Sequence, residues 1–370
     1  MKTKLSIVTV WFFLFFPTLL FSQEFKWETK LDFFFDNTEF AKSKLTHDQT
    51  MAGVRLTQEV GWMFDEKNYI MGGVDALKSL GGDDFINDFN ILAYYQLKDE
   101  NTLLKVGAFQ RSNLLDDYST LFFQDSVAFY KPTMEGIYFQ KGDNRQFVKL
   151  WLDWTGLQSI DVRESFFLGA SAYKEFGKYI FADFQSYVFH YATTRPSQPN
   201  MSVADNLLGQ LSVGVQYSNK KGLDKLQLSA GVLAGYERDR RAMDDYKTPL
   251  GMVASGDVEY KAFGMENLLY LGQKRMSYYE DFGNQMYWGT PFLKGGNYFQ
   301  NKLYWNFIDN QNVKGQLAAK THVAEGKVYF EQMLTLTAKI NNYTPKTKRR
   351  ESIWEWVFPR EERKGRRIEL

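Results

Sequence analysis

From Glu24 the chain alternates in character, with Phe25, Trp27, Leu31 and Phe33 on one parity and Lys26, Glu28, Lys30 and Asp32 on the other. A period of two is the mark of a β-strand with one apolar and one polar face. The pattern recurs from Ala52 to Phe64, where Val54, Leu56, Val60 and Trp62 alternate with Arg55, Thr57, Glu59 and Gly61. Further segments follow at 69–77, 89–97, 103–111, 134–140, 147–155, 165–173 and 179–191. The second half adds Leu207 to Tyr217, Leu226 to Tyr236, and 250–260, 266–272, 299–307, 313–323 and 327–340. The total is about sixteen, an even number of roughly the length a tilted strand needs to cross a bilayer.

The links between these segments sort by length. Short polar links at 65–68, 98–101, 141–144, 174–178, 219–224, 261–265 and 309–312 alternate with longer ones at 37–50, 78–87, 112–132, 156–163, 192–206, 237–249 and 273–297. Transmembrane barrels have short periplasmic turns and longer outer loops in strict alternation. A soluble β-sandwich has no reason to sort its loops by parity, and a soluble barrel of this size would expose its apolar face to water.

Composition agrees: aromatic residues are 17% of the chain, with 32 Phe and 22 Tyr, while mean hydropathy is −0.41. Aromatic girdles and a wet, polar interior produce that combination. A net charge of +1 gives no field that would select nucleic acid. With no Cys, disulfides, thiolate metal sites and a catalytic thiol are excluded. Lys2 and Lys4 before an apolar run from Leu5 to Leu20, then Ser22-Gln23, read as a signal peptide over 1–22 cleaved near Ser22. Residues 23–340 form the expected barrel, and 341–370 a basic tail or a further terminal strand.

The signal peptide, the alternating segments and the alternating loops resemble those of porin-like outer-membrane β-barrels of Gram-negative, Bacteroidota-like bacteria. The resemblance implies an all-β, closed antiparallel transmembrane barrel of 14 to 18 strands, in contact with outer-membrane lipid and with the barrel-assembly machinery. It also implies passive passage of small hydrophilic solutes. Such barrels commonly end on an aromatic residue, whereas this chain runs past Ile340 to Arg366-Arg367-Ile368-Glu369-Leu370, with Ile353 to Phe358 as a possible last strand.

If the polar parity faces the lumen, its lining includes Lys26, Glu28, Lys30, Asp32, Arg55, Glu59, Lys105, Lys149, Asp153, Asp183, Gln185, Gln210, Asp257, Glu259, Lys302, Lys320 and Glu331. Both signs are present, as cross-strand pairing in a wet barrel would require. A one-sign ring would instead mark ion selectivity. Two outer loops carry aromatics beside carboxylates: Asp116, Asp117 and Tyr118 in one, Tyr287 and Trp288 in the other. These suit glycans, making a surface receptor, adhesin or export component the alternative function. The competing reading is an inward-folded loop packing its aromatics on the wall. Trp151 and Trp154 read as an outer aromatic belt.

A barrel-embedded hydrolase would need a base, and only His47, His190 and His322 are available. None stands in a nucleophile motif, and His47-Asp48 falls short of the three or four ligands of a metal site. The expectation is a non-enzymatic barrel with no cofactor, no metal and no catalytic residue.

Overall fold

In the computed structural model the described residues are 24–198, 201–218, 222–240 and 245–343. The signal segment 1–22 and the tail beyond Tyr343 lie outside them. The strands are β1 (Glu24–Glu39), β2 (Gln49–Met63), β3 (Asn68–Ser79), β4 (Asp88–Asp99), β5 (Thr102–Gln110), β6 (Thr133–Gly142), β7 (Gln146–Gly156), β8 (Ser165–Phe176) and β9 (Ile180–Tyr191). After them come β10 (Ala204–Tyr217), β11 (Lys225–Asp239), β12 (Asp245–Lys247), β13 (Leu250–Tyr260), β14 (Phe263–Gly272), β15 (Tyr298–Asp309), β16 (Val313–Ala324) and β17 (Lys327–Asn341).

Each strand pairs antiparallel with its neighbour, and β1 also pairs with β17 from Glu28↔Asn341 to Glu39↔Phe330, which closes the sheet. Both β12 and β13 lie along β11, so the two share one position and the barrel has sixteen staves. Closure leaves no unpaired edge, the condition for crossing lipid with strands. The outer face carries the apolar parity: Leu31, Val60, Ile70, Leu150, Leu168 and Val213 are exposed, and Ile91 is 68% exposed. Their polar neighbours in sequence are turned inward and covered.

Three periplasmic turns share one device. Asp65 accepts from the backbone N–H of Lys67 and Asn68, each at 2.8 Å. Asp143 does the same for Arg145 and Gln146, and Asn310 for Asn312 and Val313. A side chain that mimics a backbone turn reverses the chain in few residues. Those bonds, with that from the Lys67 N–H first, hold the Asp65 carboxyl below the ordinary carboxylate range. On the outer side one link departs from the long-loop pattern: β16 and β17 join through Glu325 (φ 50°) and Gly326 (φ 71°), two left-handed residues of a tight hairpin turn. Most strands run past their expected bounds by a few residues, and the extension of β1 to Glu39 and of β2 back to Gln49 shortens the first outer loop.

Candidate functional site

The lumen is occupied by its own loops. Residues 112–132 carry a short helix, α1 (Asp125–Tyr130), and 273–297 carry a single turn, α2 (Tyr279–Phe282), with 3-10 turns at Gly283–Gln285 and Pro291–Gly295. Leu114, Leu121 and Phe122 of the first loop and Met286, Tyr287, Trp288, Phe292 and Leu293 of the second are buried in one apolar cluster. That cluster reaches wall residues around the circumference, from Tyr94 and Phe109 through Trp151, Phe167 and Phe189 to Tyr270 and Tyr329. The loops also bond each other, Gln124 N to Trp288 O at 2.8 Å and Thr290 N to Thr120 O at 2.9 Å. Gly289 is required where they meet, because a Cβ there would overlap the Leu121 carbonyl oxygen.

Buried ions fasten the loops to the wall. Arg55 pairs with Asp75 and Asp88 and donates to the Phe129 carbonyl at 2.9 Å. Arg111 pairs with Asp153 and donates to the carbonyls of Lys131 at 2.9 Å and Thr133 at 3.0 Å. Lys149 donates to Leu114 O and to Asp117, and Lys320 bridges Asp125 and Glu331. For the second loop the anchor is Glu237 on β11, which accepts from Met276 N at 2.9 Å and Ser277 N at 2.7 Å and pairs with Arg275.

The remaining lining residues pair with charges on the wall: Lys26 with Glu24 and Lys30 with Asp32 along β1, and Glu28 with Lys339, Asp257 with Lys225 and Lys302 with Glu266 across strands. Lys105 lies over the rings of Tyr94 and Phe109, Glu59 accepts from Tyr94, and Glu259 accepts from Tyr304. Asp183 faces a lower cavity.

Two expectations change here. Tyr118, Tyr287 and Trp288 are 8%, 1% and 6% exposed, so they pack the plug instead of presenting an outer glycan surface. Asp117 is tied to Lys149, and Asp116 looks into the cavities beside the plug. Trp151 and Trp154 do not form one belt. They stand three residues apart, so they face opposite sides: Trp151 donates to the Tyr118 hydroxyl inside, and Trp154 faces lipid.

The second constellation lies on the outside of the wall. Register aligns Trp154, Phe166, His190, Asp205 and Arg238 as one row across β7 to β11. The next row on the same face, two residues nearer the periplasm, reads Leu152, Leu168, Val188, Leu207 and Tyr236. The polar row thus sits at the upper margin of the apolar band, where lipid headgroups begin.

His190 Nδ1 is 2.8 Å from Asp205 Oδ1, and Asp205 Oδ2 accepts from Arg240 Nε at 2.9 Å and Nη2 at 2.7 Å. Phe166 covers one side of the imidazole at 5.2 Å and itself stacks on Trp154. A bulge between Trp154 and Gly156 ends the regular ladder of β7 beside this row. The Asp205 bond fixes the ring so that Nε2 points away from the carboxylate. Among the described residues Nε2 has no protein partner, as a general base requires. By contrast both nitrogens of His322 are engaged, Nδ1 with Tyr298 at 2.7 Å and Nε2 with Glu331 at 2.9 Å. Sequence reading named His190 but missed Asp205, fifteen positions away and joined to it only by strand register.

Two solved structures share the barrel and show the fold alone. One is a loop-deletion mutant of OmpT, an outer membrane protein of Vibrio cholerae: TM-score 0.50, 9% identity, covering 86% of this chain and 100% of that one. The other is an anion-selective porin from Comamonas acidovorans: TM-score 0.50, 8% identity, covering 86% and 99%. No curated protein matches the sequence. A family model does match, over residues 22–342, and its description is Lipid A 3'-O-deacylase-type. That match overturns the expectation of a non-enzymatic barrel, since the family is one of enzymes. The expectation failed because it sought a nucleophile motif within single segments, and strands bring partners together from distant ones.

Proposed function

Because this chain belongs to the lipid A 3'-O-deacylase-type family, we propose that it is an outer-membrane esterase that removes an acyl chain from a phosphorylated glycolipid of the outer leaflet. The observation that carries this reading is the lipid-facing His190–Asp205 pair at the outer margin of the apolar band. An ester of a membrane lipid lies at that depth, and its acyl chain would run down over Leu168, Val188 and Leu207.

In the reaction His190 Nε2 takes a proton from water as the water oxygen attacks the ester carbonyl carbon. The tetrahedral adduct then collapses, the bond from that carbon to the sugar oxygen breaks, and the imidazolium returns its proton to the leaving oxygen. A free fatty acid and a sugar hydroxyl result. Asp205 holds the imidazole in the tautomer with Nε2 free and stabilises its charged form. The Arg240 guanidinium, half-exposed beside the pair, supplies positive charge for a phosphate or the developing oxyanion.

The lumen supports the same assignment by contrast. Passive passage of small hydrophilic solutes needs a continuous wet path, and an apolar cluster spans the barrel between its walls. Incubating the purified barrel in detergent micelles with purified lipid A should release one fatty acid per glycolipid, read by mass spectrometry. A glycerophospholipid at the same concentration should release far less. Release from neither counts against the esterase reading.

A further inference from the structure

Beneath the plug, on the side of the short turns, lies a cavity of about 680 Å³, within the range of small-molecule sites. Its ceiling is the loop from Asp116 to Phe123, and its walls come from β7 to β15. Nothing in the esterase chemistry uses it, since it opens inward and to the opposite side of the membrane.

The lining carries far more carboxylate than cationic charge, with Asp116, Asp117, Glu175, Asp183, Asp257 and Glu266 all facing it. Gln185 and Gln210 stand directly opposite each other on β9 and β10 and are 7% and 6% exposed. Each amide nitrogen is already engaged, Gln185 Nε2 by the Asp117 carbonyl at 2.5 Å and Gln210 Nε2 by Ser212 Oγ at 3.0 Å. Both amide oxygens are buried without a partner. A buried acceptor left unpaired is costly, so two side by side in a cavity wall point to a donor supplied from outside the protein.

Asp183 adds a carboxylate next to them that has no cationic partner among the described residues. Asp257 and Glu266 stand on the facing wall. Among the described residues Lys225 is the single cation in the lining, and it is paired with Asp257. Along one side Phe147, Tyr173 and Phe181 form a stacked ladder with ring centres 5.8 and 5.5 Å apart. Aromatic faces bind ammonium groups and the methylene chains between them.

From this arrangement we infer that the periplasmic vestibule binds a small polyammonium ligand of the polyamine class, its ammonium N–H groups donating to Gln185, Gln210 and Asp183 and its methylenes lying on the aromatic ladder. A neutral sugar fits less well, because it brings no positive charge to the carboxylates of the lining.

The test is calorimetric titration of the full barrel in detergent with spermidine, and with a neutral trisaccharide as the comparison. Spermidine is expected to bind saturably, and Asp183→Asn, which keeps size and removes charge, is expected to weaken it about tenfold or more. Gln210→Leu should weaken it as well, with correct folding of both variants checked by heat-modifiable gel mobility. His190→Ala should bind spermidine like the parent, because the two sites lie on opposite faces of the wall. Absence of spermidine binding, equal binding of the trisaccharide, or unchanged affinity in folded Asp183→Asn and Gln210→Leu would overturn the assignment.

Discussion

Replacing His190 by alanine lowers acyl-chain release by roughly 10²- to 10⁴-fold, the range a positioned general base contributes. The barrel itself survives the change. Among the described residues His190 faces lipid, makes one side-chain hydrogen bond, to Asp205, and belongs to no apolar core. Asp205→Asn is the more informative partner variant. An amide keeps the shape but can offer its N–H₂ to Nδ1, which would favour the tautomer that protonates Nε2 and removes the base. It also takes the counter-charge from Arg240, whose two bonds to Asp205 Oδ2 measure 2.9 and 2.7 Å. Loss of rate comparable to that of His190→Ala is expected, with the folded fraction unchanged on gels. A rate in either variant within a factor of about two of the parent would remove the dyad from the chemistry.

Arg111→Ala should turn a silent barrel into a conducting one. The parent protein in planar bilayers is expected to give no stepwise conductance, because two loops fill the lumen with packed side chains. Arg111 holds the first loop at both of its ends: it pairs with Asp153 on β7, donates to the carbonyls of Lys131 and Thr133, and lies 5.4 Å from the Trp288 ring of the second loop. Removing one partner of a buried ion pair costs about 3–5 kcal/mol, since the other charge is left uncompensated. That penalty falls on the loop, while the closed hydrogen-bonded ladder keeps the wall intact. Flickering conductance steps in the variant, absent from the parent, are the expected record. Steady channels in the parent would mean that the plug leaves an open path.

Much of the barrel was legible in the chain because its physics is local. Phe25, Trp27 and Leu31 against Lys26, Glu28 and Lys30 disclose two faces without any knowledge of partners, and tilted strands of similar length follow from membrane thickness. Asp65, Asp143 and Asn310 likewise announce turns through bonds to residues two and three ahead. The loops were legible in content but not in direction. Tyr287 and Trp288 read first as aromatics packed on the wall and second as surface ligands, and what decides is Glu237, which anchors the second loop from 39 and 40 positions upstream.

The outer row was the least visible. Trp154, Phe166, His190, Asp205 and Arg238 sit on five strands, and only the register makes them neighbours. A lone histidine near a strand end carries no sign of its partner, and so His190 stood in no nucleophile motif. The family is one of enzymes, which no single segment of this chain spells out.

The most direct test of the account is the mass of lipid A extracted from outer membranes of cells that express the barrel or its His190→Ala variant at equal levels. The parent is predicted to shift the lipid A population down by the mass of one acyl chain, and the variant to leave it unchanged. Identical lipid A with both proteins, or an equal shift with both, would contradict an esterase that works from the lipid-facing wall through His190.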